Sequence, residues 1–188
     1  MLTERIKERC ESAKPIGAAY VTGYIVKFIK KSIDGSGKAT LVKTNKESDV
    51  VYGVLFNISE KERQELDRAE GVGDGGYEVK EDLTVIHNDK PVHGVRTYIA
   101  PKEKCRNNLL AYDWYLALVI AGARQHVLDE TYIQKIVEGN KVKCDTKSDR
   151  KSKIKAMEIL KDAGFEKVIS ELKYFPQEKS VGFANYSA

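Results

Sequence analysis

Apolar positions fall first into strand-like runs and then into helical spacing. Ala18 to Phe28 is rich in Tyr20, Val21, Tyr24, Ile25, Val26 and Phe28 and reads as one strand. Asp34-Gly35-Ser36-Gly37-Lys38 is a turn, followed by a short strand at Thr40 to Val42. Val50 to Ile58, with Val51, Tyr52, Val54, Leu55 and Phe56, gives the clearest strand of the chain. Ser59-Glu60-Lys61-Glu62 then fits a capping box that opens a helix to about Ala69. Two more strands are predicted at 77–87 and 92–100, with a turn at Asn88-Asp89-Lys90-Pro91 between them. In the second, Val95, Thr97 and Ile99 alternate with Arg96 and Tyr98.

The helical half begins at Asn108 and runs to Arg124, where Leu109, Leu110, Trp114, Leu118 and Ala121 recur at three- and four-residue steps. Asp129 caps a second helix, 130–138, which Gly139-Asn140 stops. The first residues, 3–13, are charged and helix-prone up to Pro15 and Gly17. Near the end, 154–163 and 165–174 read as two amphipathic pieces hinged at Gly164. Strands first and helices after predict an α+β fold.

Charge sharpens this division. Residues 139–188 carry 11 Lys/Arg against 7 Asp/Glu, the whole net excess of +4, whereas the first 138 balance at 21 against 21. Between 141 and 155 stand seven basic and two acidic residues with little to bury, a linker signature. The expected division is therefore a domain at 1–139, a basic linker at 140–155 and a helical tail at 156–188. A neutral body is not built to grip nucleic acid, and the basic stretch lacks interleaved aromatics for base stacking. No run of 18 apolar residues offers a membrane span, and the charged start does not resemble a signal peptide. Cys10, Cys105 and Cys144 are odd in number and far apart, so a reducing cytoplasm is the expected setting.

The chemistry-bearing candidates centre on Glu70-Gly71-Val72-Gly73-Asp74-Gly75-Gly76-Tyr77. This is not a phosphate cradle, which needs a strand before the glycines and a helix after them; here the order is reversed. A mobile surface loop and a loop shaping a pocket around an acidic residue both remain open. Of the nearby carboxylates Asp67, Glu70, Asp74 and Glu78, Glu70 stands out. It closes a helix whose C-terminal dipole disfavours negative charge, and it faces glycines that leave room for a substrate. His87, His93 and His126 lack metal-ligand spacing, Cys10 has no activating partner in sequence, and no Gly-x-Ser-x-Gly elbow occurs. Tyr112-Asp113-Trp114-Tyr115 reads first as core.

Taken together, Tyr52-Gly53-Val54-Leu55-Phe56, Leu66-Asp67-x-x-Glu70-Gly71-Val72 and Gly76-Tyr77 resemble the gamma-glutamylcyclotransferase family. Tyr112-Asp113-Trp114-Tyr115, Gly122-Ala123-Arg124-Gln125-His126 and Tyr132-Ile133-x-x-Ile136 extend the resemblance over residues 1–138. It implies a small mixed β-barrel flanked by helices and a γ-glutamyl small-molecule substrate. It also implies closure of the substrate's own α-amine onto its γ-carbonyl to give 5-oxoproline and a free amine, with no metal or organic cofactor. By motif, Glu70 is the general base, and Tyr77, Tyr115 and Gly76 line the substrate pocket.

The family also carries a strand ending Tyr-Gly-Ser-Asn before the segment that here begins Met1-Leu2-Thr3. The resemblance therefore implies that the sequence is short at its front and lacks the loop whose N–H groups hold the substrate. Losing one such donor typically costs about a hundredfold in rate. A non-catalytic binding module of the same fold is the alternative expectation. The identity of the leaving amine and the oligomeric state are not encoded in any motif.

Overall fold

The structure is a computed structural model and describes residues 2–140 and 142–172. Its centre is a four-stranded antiparallel sheet in the order β4-β1-β5-β6, from β1 (Lys14–Thr22), β4 (Val50–Asn57), β5 (Glu78–His87) and β6 (Lys90–Ile99). The hairpin β2 (Tyr24–Lys31) and β3 (Gly37–Lys43) lies across it, touching β4 on one side and β6 on the other. The Ala100 N–H donates to buried Thr40 Oγ1 at 2.8 Å and so ties β3 to the end of β6. Strands and helices therefore combine as the α+β reading expects, although the pairings leave the barrel open instead of closing a ring.

The single strand expected from Ala18 to Phe28 is two strands. Gly23 turns the chain at φ +76°, its N–H donates to Asp49 O at 2.8 Å, and its own carbonyl accepts from Thr44 N–H at 2.8 Å. Only glycine takes that left-handed conformation cheaply, so the hydrophobic pattern runs through a corner that the backbone must make. Helix α3 (Asp113–Gln125) likewise starts five residues later than predicted. Asn108 stands at φ +67°, and Ala111–Tyr112 form strand β7, which pairs in parallel with β8 (Val142–Lys143).

Helix α3 is the pillar of the main core. Leu116, Ala117, Ala121 and Ala123 are fully enclosed, Trp114 and Ile120 nearly so, and each large side chain so buried contributes roughly 1.5–3 kcal/mol. Its small faces let α4 (Glu130–Glu138), α5 (Lys151–Asp162) and α6 (Val168–Glu171) approach closely. Asp129 caps α4 as predicted, accepting from Thr131 and Tyr132 N–H. Tyr132 reaches back to the sheet, where its hydroxyl accepts from Tyr52 N–H at 3.1 Å and donates to Tyr52 O at 3.3 Å.

The basic stretch 140–155 buries more than its composition suggests. Asp145 is 3% exposed and accepts from the Trp114 indole at 2.9 Å and from the Arg150 guanidinium, while Lys153 donates to its carbonyl at 2.6 Å. Arg150 also donates to the Tyr112 hydroxyl at 2.9 Å. Ala156, Ile159, Leu160, Val168 and Leu172 join the same core as α3. The helix expected at 165–174 is the short α6, and residues beyond 172 lie outside those described.

Candidate active site

After α1, which spans only Thr3–Lys7 of the expected 3–13, helix α2 (Glu60–Glu70) carries the key carboxylate at its last residue, and both of its ends are held by tertiary contacts. At the start, the reciprocal capping box does not form. Ser59 makes no side-chain bond to the backbone; instead Glu62 accepts from the hydroxyls of Ser59 and Ser12 and from Ser12 N–H at 3.1 Å. Cys10 and Ala13, both fully buried beside Leu66, bring Ser12 there. At the far end, one turn before Glu70, Arg96 of β6 clamps Asp67 with two bonds of 2.6 and 2.8 Å, and the Tyr98 hydroxyl adds a third at 2.6 Å. The Arg96 bond chiefly holds the Asp67 carboxyl below the usual carboxylate range, against the opposing effect of burial.

The chain then leaves the helix through Gly71 at φ +69°. Gly71 N–H bonds Arg68 O and Val72 N–H bonds Asp67 O, the pair of contacts of a Schellman stop. The loop folds back at Gly76, whose N–H donates to Gly71 O at 2.9 Å, and Tyr77 N–H donates to Glu70 O at 3.0 Å. A Cβ on Gly76 would lie 2.1 Å from Glu70 O, so no other residue fits without opening the turn. This fixes the backbone of Glu70 against the first residues leading into β5.

Arg9 stands against the Glu70 side chain, and the Glu70 charge acts on Tyr77, Tyr115 and Lys30. Arg9 Nη1 donates to Glu70 Oε1, with the two side chains 30% and 21% exposed. Burial, then neighbouring Tyr115 and the Glu70 charge, push the Tyr77 hydroxyl far above its ordinary value. Burial does the same to Tyr115, again with Glu70 adding to the effect. Both phenols are therefore neutral hydrogen-bonding groups. They bracket one residue of β3: Tyr77 donates to Ala39 O at 2.9 Å, and Ala39 N–H donates to the Tyr115 oxygen at 3.1 Å. The Tyr77 proton is thus committed to the backbone. In its pair with Ala39 the Tyr115 oxygen is the acceptor.

Cations frame the tyrosines. Lys30 Nζ sits 4.5 Å from the centre of the Tyr77 ring, and Lys38 Nζ sits 4.5 Å from that of Tyr115 and 4.7 Å from that of Trp114. Burial lowers the pKa of Lys30, with the Glu70 charge opposing. Burial also lowers that of Lys38, opposed by its pairing with Asp34. Lys30 further borders an open hollow of about 520 Å³ beside the glycine loop, together with Gly71, Gly76, Asp74, Lys104 and Arg106.

Of the four candidates from the sequence, Gly76 makes the turn that joins Glu70 to Tyr77, Tyr77 and Tyr115 meet on Ala39 of β3, and only Gly76 borders the hollow. Of the other carboxylates, Asp67 is a clamp, Asp74 borders the hollow and Glu78 is exposed. The histidines are dispersed: His87 bonds Ala18 O, His93 bonds Thr84, and His126 bonds Thr3. Among the described residues no three His, Cys, Asp or Glu side chains gather as metal ligands, and no helix is long and apolar enough to cross a membrane. Sequence reasoning missed Arg9 and Lys30. Arg9 sits in a charged, helix-prone stretch that resembles any solvated face, and nothing in its spacing relates it to residue 70.

Comparisons with known proteins bear on the fold. Residues 50–136, from β4 through most of α4, match the AIG2-like family. A solved gamma-glutamyl cyclotransferase superposes with a TM-score of 0.71, at 23% identity over 84% of this chain and 92% of that one. A human protein described as uncharacterized gives the same values. YkqA from Bacillus subtilis superposes with a TM-score of 0.62 at 18% identity, over 74% of this chain and 49% of that one. No curated protein matches. The fold is that of the solved gamma-glutamyl cyclotransferase, in keeping with the resemblance read from the motifs.

Proposed function

We propose that this chain, with its gamma-glutamyl cyclotransferase fold, cyclises a γ-glutamyl compound to 5-oxoproline and releases an amine or amino acid, with Glu70 as the general base. The observation that carries this reading is the placement of Glu70. Its backbone is locked by Gly71 and Gly76, its carboxylate accepts from Arg9, and its charge acts on the neutral phenols of Tyr77 and Tyr115.

In this scheme one Glu70 oxygen accepts a proton from the substrate's α-ammonium, freeing the nitrogen lone pair. The nitrogen attacks the γ-carbonyl carbon and closes the five-membered ring. Glu70 passes that proton to the leaving nitrogen as its bond to carbon breaks, and then carries the second proton from the ring nitrogen to the released amine, which departs as an ammonium ion. No water is consumed, and the carboxylate ends as it began. Because nucleophile and electrophile belong to one molecule, holding the substrate folded supplies much of the acceleration. Tyr115 contributes a neutral O–H donor toward the charge that builds on the carbonyl oxygen. Tyr77, tied to Ala39, lines the substrate pocket.

The test is 5-oxoproline formation from a panel of γ-glutamyl amino acids and γ-glutamyl amines. Glu70→Gln is expected to lower turnover by a factor of about 10²–10⁴ while leaving the unfolding midpoint nearly unchanged. Substantial turnover by the Gln variant overturns the general-base role. Saturable binding by the wild-type chain without any 5-oxoproline supports the binding-module alternative instead.

A further inference from the structure

We propose that Arg9 and Glu70 form a split receptor for the α-amino-acid head of the substrate, Arg9 taking the glutamyl α-carboxylate while Glu70 takes the α-ammonium. The inference rests on the proposed γ-glutamyl chemistry and assigns a binding residue and a substrate requirement to that site.

The side chains are self-paired, and each keeps capacity for a ligand. The contact joins one guanidinium nitrogen to one carboxylate oxygen. A guanidinium has five N–H donors in a planar fork, and a carboxylate has about four lone-pair positions, so both retain most of their hydrogen-bonding groups. Both are partly solvent-exposed, at 30% and 21%. Arg9 touches Glu70 directly, and the Glu70 backbone is bonded to Tyr77 N–H at 3.0 Å.

A zwitterionic amino-acid head carries opposite charges on adjacent groups. Laid against a Glu–Arg pair, it exchanges one protein–protein ion pair for two protein–ligand ones, with no unpaired charge left behind. Arg is suited to this because its fork grips a carboxylate through two parallel bonds.

The backbone that carries Arg9 is pre-positioned. Leu2, Cys10 and Ala13 are buried on either side of it. Thr3 N–H donates to Gln125 Oε1 at 2.8 Å, and Gln125 in turn donates to Glu4. The Cys10 thiol faces Glu62 O. A surface charge serving only solubility needs no such anchoring, and a rigid carboxylate receptor does.

The alternative is a strut that merely pins residues 3–13 to α2. Calorimetric binding of γ-glutamyl-alanine, and of its analogue with the glutamyl α-carboxylate replaced by a carboxamide, separates the two. The full chain is expected to prefer the carboxylate by about 10²-fold, with Arg9→Met reducing the preference to within about threefold and Arg9→Lys restoring part of it. A strut would weaken both ligands equally and leave the ratio untouched, which overturns the proposal. So does a wild-type chain that binds the two alike or binds neither, whatever the variants do. Discrimination without any 5-oxoproline production overturns the base role of Glu70 alone. Production without discrimination overturns Arg9 alone.

Discussion

Gly76→Ala should be a severely damaging substitution. The added Cβ would stand 2.1 Å from Glu70 O, 2.6 Å from Gly71 O and 2.7 Å from Gly71 Cα, whereas real Cβ contacts stay beyond 3.0 Å. About 0.9 Å must therefore be found, and every obstructing atom is backbone, so no side chain can swing aside. Opening the turn strains or breaks the Gly76 N–H bond to Gly71 O and the Tyr77 N–H bond to Glu70 O. Overpacking of this kind costs about 1–3 kcal/mol and each lost hydrogen bond about 1 kcal/mol, so the total is about 3–5 kcal/mol. Displacing Glu70 by nearly an ångström should also lower turnover about a hundredfold in whatever protein remains folded. Gly53→Ala is the control. Nothing lies within 4 Å of its Cβ and no left-handed φ is involved, so it should be neutral or stabilising by about 0.5 kcal/mol. Urea unfolding followed by circular dichroism reads both. A Gly76→Ala chain within about 0.5 kcal/mol of Gly53→Ala refutes the steric argument.

Tyr115→Phe should cost about 1–3 kcal/mol by leaving Ala39 N–H without its acceptor, and turnover should fall as the O–H donor is lost; calorimetric unfolding beside a 5-oxoproline assay checks both. Asp67→Asn should cost about 2 kcal/mol in urea unfolding by replacing a charged, doubly bonded partner of Arg96 with a neutral one. Stability should also depend on acid in a defined sense. Asp67 is lowered chiefly by its Arg96 bond. Asp145 is pushed up by burial but brought below its ordinary value by the Trp114 and Arg150 bonds. A depressed carboxylate contributes stability above its unfolded pKa near 3.8 and loses it as pH falls through the folded value. Asp145→Asn should thus flatten the decline in stability between about pH 4 and pH 2, and a decline as steep as wild type would contradict the assignment.

Local rules read this chain well where local forces decide. The stop at Glu70-Gly71 and the Asp129 cap both formed as their residues require, because the satisfying groups lie within a few positions. Reading fails where a distant residue competes. Ser59 and Glu62 have the spacing of a capping box, but Ser12, carried in by buried Cys10 and Ala13, draws the Glu62 carboxylate away from the helix end. Gly23 was a legible exception: a glycine inside a strand pattern often marks a corner, and the apolar residues on both sides concealed it. In the sequence Asp145 is one of two carboxylates in a basic stretch with little to bury. Its burial follows from Trp114, the chain's single tryptophan, whose buried indole N–H needs an acceptor. The glutamate and both tyrosines of the site were readable by motif. Arg9 was not, since only the folded path of residues 3–13 brings it to Glu70.

The Tyr132 hydroxyl serves both the N–H and the carbonyl of Tyr52, and this makes a helix the guardian of a strand's amide. Tyr52 N–H is free to meet solvent only when α4 lifts from the sheet. Its hydrogen exchange should therefore report the opening of α4 as a unit, with the same free energy as the amides inside that helix. One phenolic oxygen thus joins an element of the helical layer to the rim of the sheet in a single cooperative event. A Tyr132→Phe chain would let the two exchange independently.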